Sequence, residues 1–104
     1  MTTPTNGMRP VHPGEVLREE FLVPFGMSAH GLAVALQVPP PRIHDVVRER
    51  RAISVDTALR LARYLGTSAE FWLGLQTDYD MAIARDSLGD VLSKIERRDS
   101  RETA

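Results

Sequence analysis

The chain has 104 residues, 42% of them hydrophobic and 26% charged, with no cysteine and a net charge of −1. One globular domain is the default at this length. The lack of cysteine excludes disulfides, thiolate zinc sites and cysteine nucleophiles, no apolar run approaches the roughly 20 residues that span a bilayer, and the start MTTPTNGMRP lacks the apolar core of a secretory signal. A cytoplasmic protein is expected.

Residues 1–9 are polar and rich in Thr, Pro, Asn and Gly, and read as a flexible tail. HPGEVLREEFLVPFG follows as a first helix. Pro13 suits its first turn, Glu15 puts a negative charge near its positive end, Leu17 and Phe21 share a face, and Pro24 with Gly26 stops it. His12, His30 and His44 are the only histidines, and their positions show no metal-ligand spacing.

Residues 27–48, MSAHGLAVALQVPPPRIHDVVR, read as two short helices and a tight turn. Ser28 is the expected N-cap of the first, with Met27 and Leu32 as a hydrophobic staple and Leu32, Ala33 and Leu36 as its apolar stripe. The prolines at 39, 40 and 41 are tolerated only in a first turn, so the next helix starts near Pro40. Its inner side is Ile43, Val46 and Val47, and its outer side is Pro41, His44, Asp45 and Arg48. This is the pattern of a helix-turn-helix with its second helix offered to a DNA major groove. The hairpin alone leaves a plain αα-hairpin equally open.

RERRAIS then reads as a loop anchored by Ile53, with Arg50 and Arg51 exposed. Ser54 caps a helix whose expected inner stripe is Val55, Ala58, Leu59, Ala62 and Leu65, closed by Gly66. Thr67 and Glu70 form a capping box for a fifth helix carrying Phe71, Trp72, Leu75 and Tyr79. Leu88, Val91, Leu92 and Ile95 repeat at i, i+3, i+4, i+7 in a further amphipathic segment weakened by Gly89. No strand pattern occurs. The fold class is all-α: five helices and an additional C-terminal helical segment, with residues 10–76 as the domain, 77–98 as the extension and 99–104 as a flexible tail.

The charge is unevenly placed. Between Val38 and Tyr64, Arg42, Arg48, Arg50, Arg51, Arg60 and Arg63 stand against Asp45, Glu49 and Asp56, a net of +3, whereas residues 65–104 carry −3. A basic patch built only from arginine suits fork-like contacts to phosphate or guanine. Base reading falls to Pro40, Pro41, His44, Asp45 and Arg48, with an ion pair to Arg48 or Arg50 as the other role open to Asp45. Ser28 with its helix N-terminus, Arg42, Arg50 and Arg51 are the expected phosphate clamps. Operator half-sites one helical turn apart require two copies. Trp72, Leu75 and Tyr79 are the expected homodimer interface, with Phe71 in the core. No nucleophile elbow or glycine-rich loop supports an enzyme, and no cofactor, membrane or small-molecule substrate is expected.

HPGE at 12–15, L-A-x-x-L at 32–36, V-P at 38–39, R-I at 42–43, RAI at 51–53, DTALRLA at 56–62 and LGTSAEFWLGLQ at 65–76 together resemble the HigA-type antitoxins. These are the addiction-module antidotes of the Xre helix-turn-helix family. The resemblance covers about residues 11–84 and implies a lambda-repressor-like helix-turn-helix domain. It implies a homodimer on a palindromic operator in its own promoter, and an antitoxin that neutralises an adjacent RelE-like, mRNA-cleaving toxin. Residues 77–98 then extend the dimer or hold the toxin. A free-standing Xre-type regulator and a protein-binding helical module are the alternatives. Three departures stand out: Gln37 replaces the family's turn glycine, His44 a frequent Asn, and Glu49-Arg50 a frequent Gly-Lys. The family's base contacts and operator therefore do not carry over.

Overall fold

Helix starts are set by short side chains and prolines. His12, Ser28, Pro39, Ser54 and Ser68 all have extended backbone immediately before a helix. Ser28 Oγ accepts from Gly31 N–H at 2.9 Å, Ser54 Oγ from Thr57 N–H at 3.2 Å, and Ser68 Oγ from Phe71 N–H at 3.0 Å. Each satisfies one of the orphan amides of a first turn. Ser68, not Thr67, therefore caps the fifth helix. Thr67 instead accepts from Trp72 Nε1 at 2.7 Å.

The computed structural model describes residues 9–98; the tails expected at 1–9 and 99–104 lie outside them, Arg9 apart. Arg9, assigned to the flexible tail, is instead held by both Glu15 carboxylate oxygens, at 2.7 and 3.0 Å. The first helix, α1, covers residues 13–25 in three parts: α-helical Pro13–Val16, π-helical Leu17–Leu22 and α-helical Val23–Phe25. Pro24 lies inside the last turn, where its ring clashes with an α-helical carbonyl and has no N–H to give. The winding widens ahead of it, and that wider turn brings Leu17 and Leu22, five residues apart, into the core. Gly26 then ends α1 in the left-handed region at φ 62°.

The remaining helices are α2 (Ala29–Leu36), α3 (Pro40–Val47), α4 (Val55–Leu65) and α5 (Ala69–Lys94). No strand occurs among the described residues. None of the helices is long and apolar enough to cross a membrane. Leu32, Ala33 and Leu36 of α2 meet Ile43, Val46 and Val47 of α3, with Leu17, Ile53, Ala58, Leu61 and Trp72 completing the core. Ala33 is fully buried, so a larger side chain there has no room.

Two phases differ from the sequence expectation. On α4 the buried residues are Thr57, Ala58 and Leu61, while Val55 and Leu59 are more than half exposed. On α5 Trp72 is fully buried and Phe71 is exposed, the reverse of their expected roles. Beyond Gln76 no residue of α5 is buried, and the helix runs unbroken through Gly89. No proline or capping residue interrupts it, so the expected fifth helix and C-terminal segment are one element, about 39 Å long at 1.5 Å per residue.

Candidate nucleic-acid interface

Both helices of the hairpin end in the same way. Gln37 closes α2 at φ 60° and Glu49 closes α3 at φ 63°. Val38 N–H bonds the Ala33 carbonyl at 3.0 Å and Gln37 N–H the Val34 carbonyl at 3.1 Å. Arg50 N–H bonds Asp45 O at 2.8 Å and Glu49 N–H Val46 O at 2.9 Å. Both are Schellman closures, each with a side chain where glycine is preferred, at about 1 kcal/mol apiece.

Each closure leaves carbonyls over, and each is met by an arginine from another helix. Arg60 on α4 donates from Nη1 to Leu36 O at 2.8 Å and to Gln37 O at 3.4 Å. Arg18 on α1 donates from Nη1 to Val47 O and from Nη2 to Glu49 Oε2 at 3.4 Å. A cation at a helix C-terminus also opposes the negative end of the helix dipole. Gln76 fixes the loop that follows α3: its Oε1 accepts from Ile53 N–H at 2.7 Å and its Nε2 donates to Asp80 Oδ1 at 3.0 Å. The sequence reading missed Arg18, Arg60 and Gln76, because their partners lie 23 to 31 residues away and no local spacing reveals them.

α3 turns Ile43, Val46 and Val47 inward. Pro41 and Arg48 are exposed, and Pro40, His44 and Asp45 are half-buried. The N-terminus of α3 has little to offer an anion. Pro40 and Pro41 have no N–H, and Arg42 N–H is taken by Pro39 O at 3.0 Å. The start of α2 is the better phosphate site, since Ser28 caps with its oxygen and keeps its hydroxyl proton to donate.

The arginines fall into two groups. Arg42 Nη1 and Arg60 Nε share Asp56 Oδ1, at 2.6 and 2.7 Å. These hydrogen bonds, Arg60's first, hold the Asp56 carboxyl below its usual range. Arg51 pairs with Asp45 at 3.4 Å, so Asp45 takes neither Arg48 nor Arg50 as its partner. Glu49 pairs with Arg18 at 3.4 Å, a guanidinium it shares with Glu19 at 2.9 Å. Among the described residues Arg48, Arg50 and Arg63 have no carboxylate partner. The free positive charge around α3 thus rests on Arg48 and Arg50. Arg42 and Arg51 reach a phosphate only by exchanging an existing ion pair.

Of the expected dimer residues, Trp72 needs a correction. Trp72 is core, enclosed by Phe21 and Phe71 with ring centroids at 5.2 and 5.0 Å. Leu75 is half-buried against the core. Tyr79, also half-buried, meets the edge of the His12 ring at 4.8 Å. His12 is itself buried, and its Nδ1 accepts from Gly14 N–H at 2.8 Å, so it is the cap of α1. Burial lowers its pKa, against the opposing pull of Glu49 and Asp80. The apolar residues α5 leaves exposed lie further along, at Met81, Ile83, Leu88, Val91 and Leu92, with Ile95 just past its end. Among the described residues no cluster of three or more His, Asp or Glu side chains is placed to hold a metal.

Five helices, a hairpin with two free arginines at the C-terminal end of its outer helix and a packed core beneath it define a helix-turn-helix protein. Known proteins agree. The family described as "Helix-turn-helix" matches residues 17–72. Virulence-associated protein I of Dichelobacter nodosus is 58% identical over 79 residues, which cover 76% of this chain and 73% of that protein. The Pseudomonas aeruginosa antitoxin HigA, solved with the higBA promoter, superposes with a TM-score of 0.82 at 50% identity, covering 85% of this chain and 97% of that one. The antitoxin GraA in complex with its operator gives 0.84 at 46% identity, covering 94% and 100%. The chain belongs to the Xre-type helix-turn-helix family, among the HigA-type antitoxins. That is a family of regulators and antitoxins, not of enzymes.

Proposed function

We propose that this chain is an antitoxin that binds operator DNA in its own promoter and represses its own operon. The observation that carries this reading is the free charge at the C-terminal end of α3: Arg48, its C-cap, and Arg50, two residues further on, are exposed and unpaired beside the helix that a helix-turn-helix presents to the major groove. Structural relatives about half identical to it in sequence are bound to promoter or operator DNA. Arg48 reads a guanine as a bidentate donor, His44, Asp45, Pro40 and Pro41 line the rest of the base-facing surface, and Arg50 and the Ser28 end of α2 hold phosphates. Arg42 and Arg51 join them after exchanging carboxylate for phosphate.

Two hairpins are needed for a symmetric operator, so the protein acts as a homodimer. Trp72 is excluded from that interface by burial. Met81, Ala84, Leu88, Val91 and Ile95 follow the alternating three- and four-residue spacing of a coiled-coil seam, and they are the face through which two copies pair. The partner that the antitoxin neutralises is an RelE-like, mRNA-cleaving toxin, and the site of action is the cytoplasm.

The test is a titration against the DNA upstream of its own gene and against a scrambled duplex, at two salt concentrations, for wild type and Arg48→Ala. Salt-sensitive preference for the upstream DNA is expected, with the substitution weakening binding by about 1–3 kcal/mol and relaxing specificity at one position. Equal affinity for both duplexes refutes the operator-recognition reading. Co-purification of a small basic protein encoded beside the gene tests the toxin partner, and its failure to bind refutes that part alone.

A further inference from the structure

We infer that Arg18, on the first helix, is a positioning residue for DNA binding that acts through Glu49 and the C-terminal end of α3. The inference rests on the DNA-binding reading above and deepens it. The Schellman closure of α3 consumes the carbonyls of Asp45 and Val46 but not that of Val47. Arg18 Nη1 takes that remaining carbonyl. Its Nη2 reaches Glu49 Oε2 at 3.4 Å, and its Nε is held by Glu19 Oε2 at 2.9 Å. One guanidinium therefore carries three acceptors in its fixed fork, two of them at the end of the recognition helix.

Glu49 needs such a partner. It stands between Arg48 and Arg50, the two arginines left to face DNA. It also holds the left-handed conformation that swings the chain out of α3, so its position follows the end of the helix. A carboxylate there without a partner would cancel part of the field of its neighbours and repel a phosphate. Arg18 draws it back toward α1, where Arg9 adds a second positive charge within electrostatic reach of Glu49. Arg18 itself is only about one-third exposed, and three of its five N–H donors are committed to Glu19, Val47 and Glu49, so its role in DNA binding is to position the end of α3. Lysine would not reproduce the arrangement, since an ammonium lacks the planar fork that meets a carbonyl and two carboxylates at once.

The experiment is a double-mutant cycle on the full chain with the duplex upstream of its own gene: wild type, Arg18→Ala, Glu49→Gln and the pair, each checked by thermal melting. Arg18→Ala is expected to weaken binding on the order of tenfold, comparable to the loss of one charge-assisted hydrogen bond. Glu49→Gln removes the charge but keeps the left-handed side chain, and binds at least as tightly as wild type. The pair recovers most of what Arg18→Ala loses. A purely structural role, or a direct phosphate contact, gives no such recovery. Additive effects, or an Arg18→Ala affinity equal to wild type, overturn the inference while DNA binding by wild type stands. Wild type that ignores the duplex overturns the reading beneath it. Should Arg18→Ala not fold, the same cycle with Arg18→Lys keeps the coupling measurable, with a smaller loss and the same rescue.

Discussion

Replacing Gly14 by alanine drives a methyl group into the recognition helix. The added Cβ would lie 1.8 Å from the Val46 carbonyl oxygen, 2.8 Å from its carbon and 3.0 Å from His12 Nδ1. A close carbon–oxygen contact is about 3.3 Å, so α1 must retreat from α3 by about 1.5 Å. The obstacle is backbone, which has no rotamer to change. Interiors are close-packed, and overpacking typically costs about 1–3 kcal/mol, occasionally more. The retreat also disturbs the His12 cap and the Arg18 contacts with α3, both carried by α1. Against this, alanine favours a helix over glycine by about 0.8–1 kcal/mol. Because the obstacle is backbone at 1.8 Å, the upper end of the overpacking range applies and the net loss is about 2 kcal/mol, which lowers the melting temperature by roughly 10 °C in a domain of this size. Gly89→Ala is the internal control. Nothing lies within 4 Å of a Cβ at Gly89, in the exposed part of α5, so the helix preference acts alone and stability rises by up to about 1 kcal/mol. Thermal and urea unfolding followed by circular dichroism measure both. A Gly14→Ala protein as stable as wild type would refute the close approach of α1 to α3.

Gln37→Gly relieves a left-handed side chain at the hairpin turn, and is expected to raise stability by about 0.5–1 kcal/mol in urea unfolding; a loss would show that the glutamine side chain stabilises the turn. His12 is buried and caps α1 through an unprotonated Nδ1, and its folded pKa lies below the unfolded value of about 6.5. The unfolded chain takes up the proton first, so this contribution is complete above pH ~6.5 and is lost as pH falls through the lowered folded value. Melts at pH 7.5 and 5.5 should show a drop that His12→Asn, which keeps a capping oxygen, reduces; equal pH dependence in both proteins would contradict it.

Local features of the fold were legible in the sequence, and long-range ones were not. The caps at Ser28 and Ser54, the start of α3 at Pro40, its inner face of Ile43, Val46 and Val47, and the closing Gly66 depend on neighbours within one turn. The phase of α4 needed more. Val55 and Leu59 fit a helical stripe as well as Ala58 and Leu61 do, and only the packing against other helices chooses between them. Phe71 and Trp72 are adjacent, and burial of one forces the other outward. The charge pattern located the basic patch but not its bookkeeping. The ion pairs of Arg42 with Asp56 and of Arg51 with Asp45 bring together residues 14 and 6 apart and form only in the fold. Arg18 and Arg60 complete helix ends 29 and 24 residues away, a relation that exists only after folding.

The central claim is that α3 enters a major groove of the promoter DNA, in two copies related by symmetry. A chemical footprint on the duplex upstream of the gene, combined with methylation interference at guanine N7, tests it most directly. The account predicts two protected half-sites about 34–36 Å apart, or a multiple of that spacing, each with a guanine whose methylation blocks wild type but not Arg48→Ala. Protection without symmetry, or interference confined to the minor groove, would contradict it.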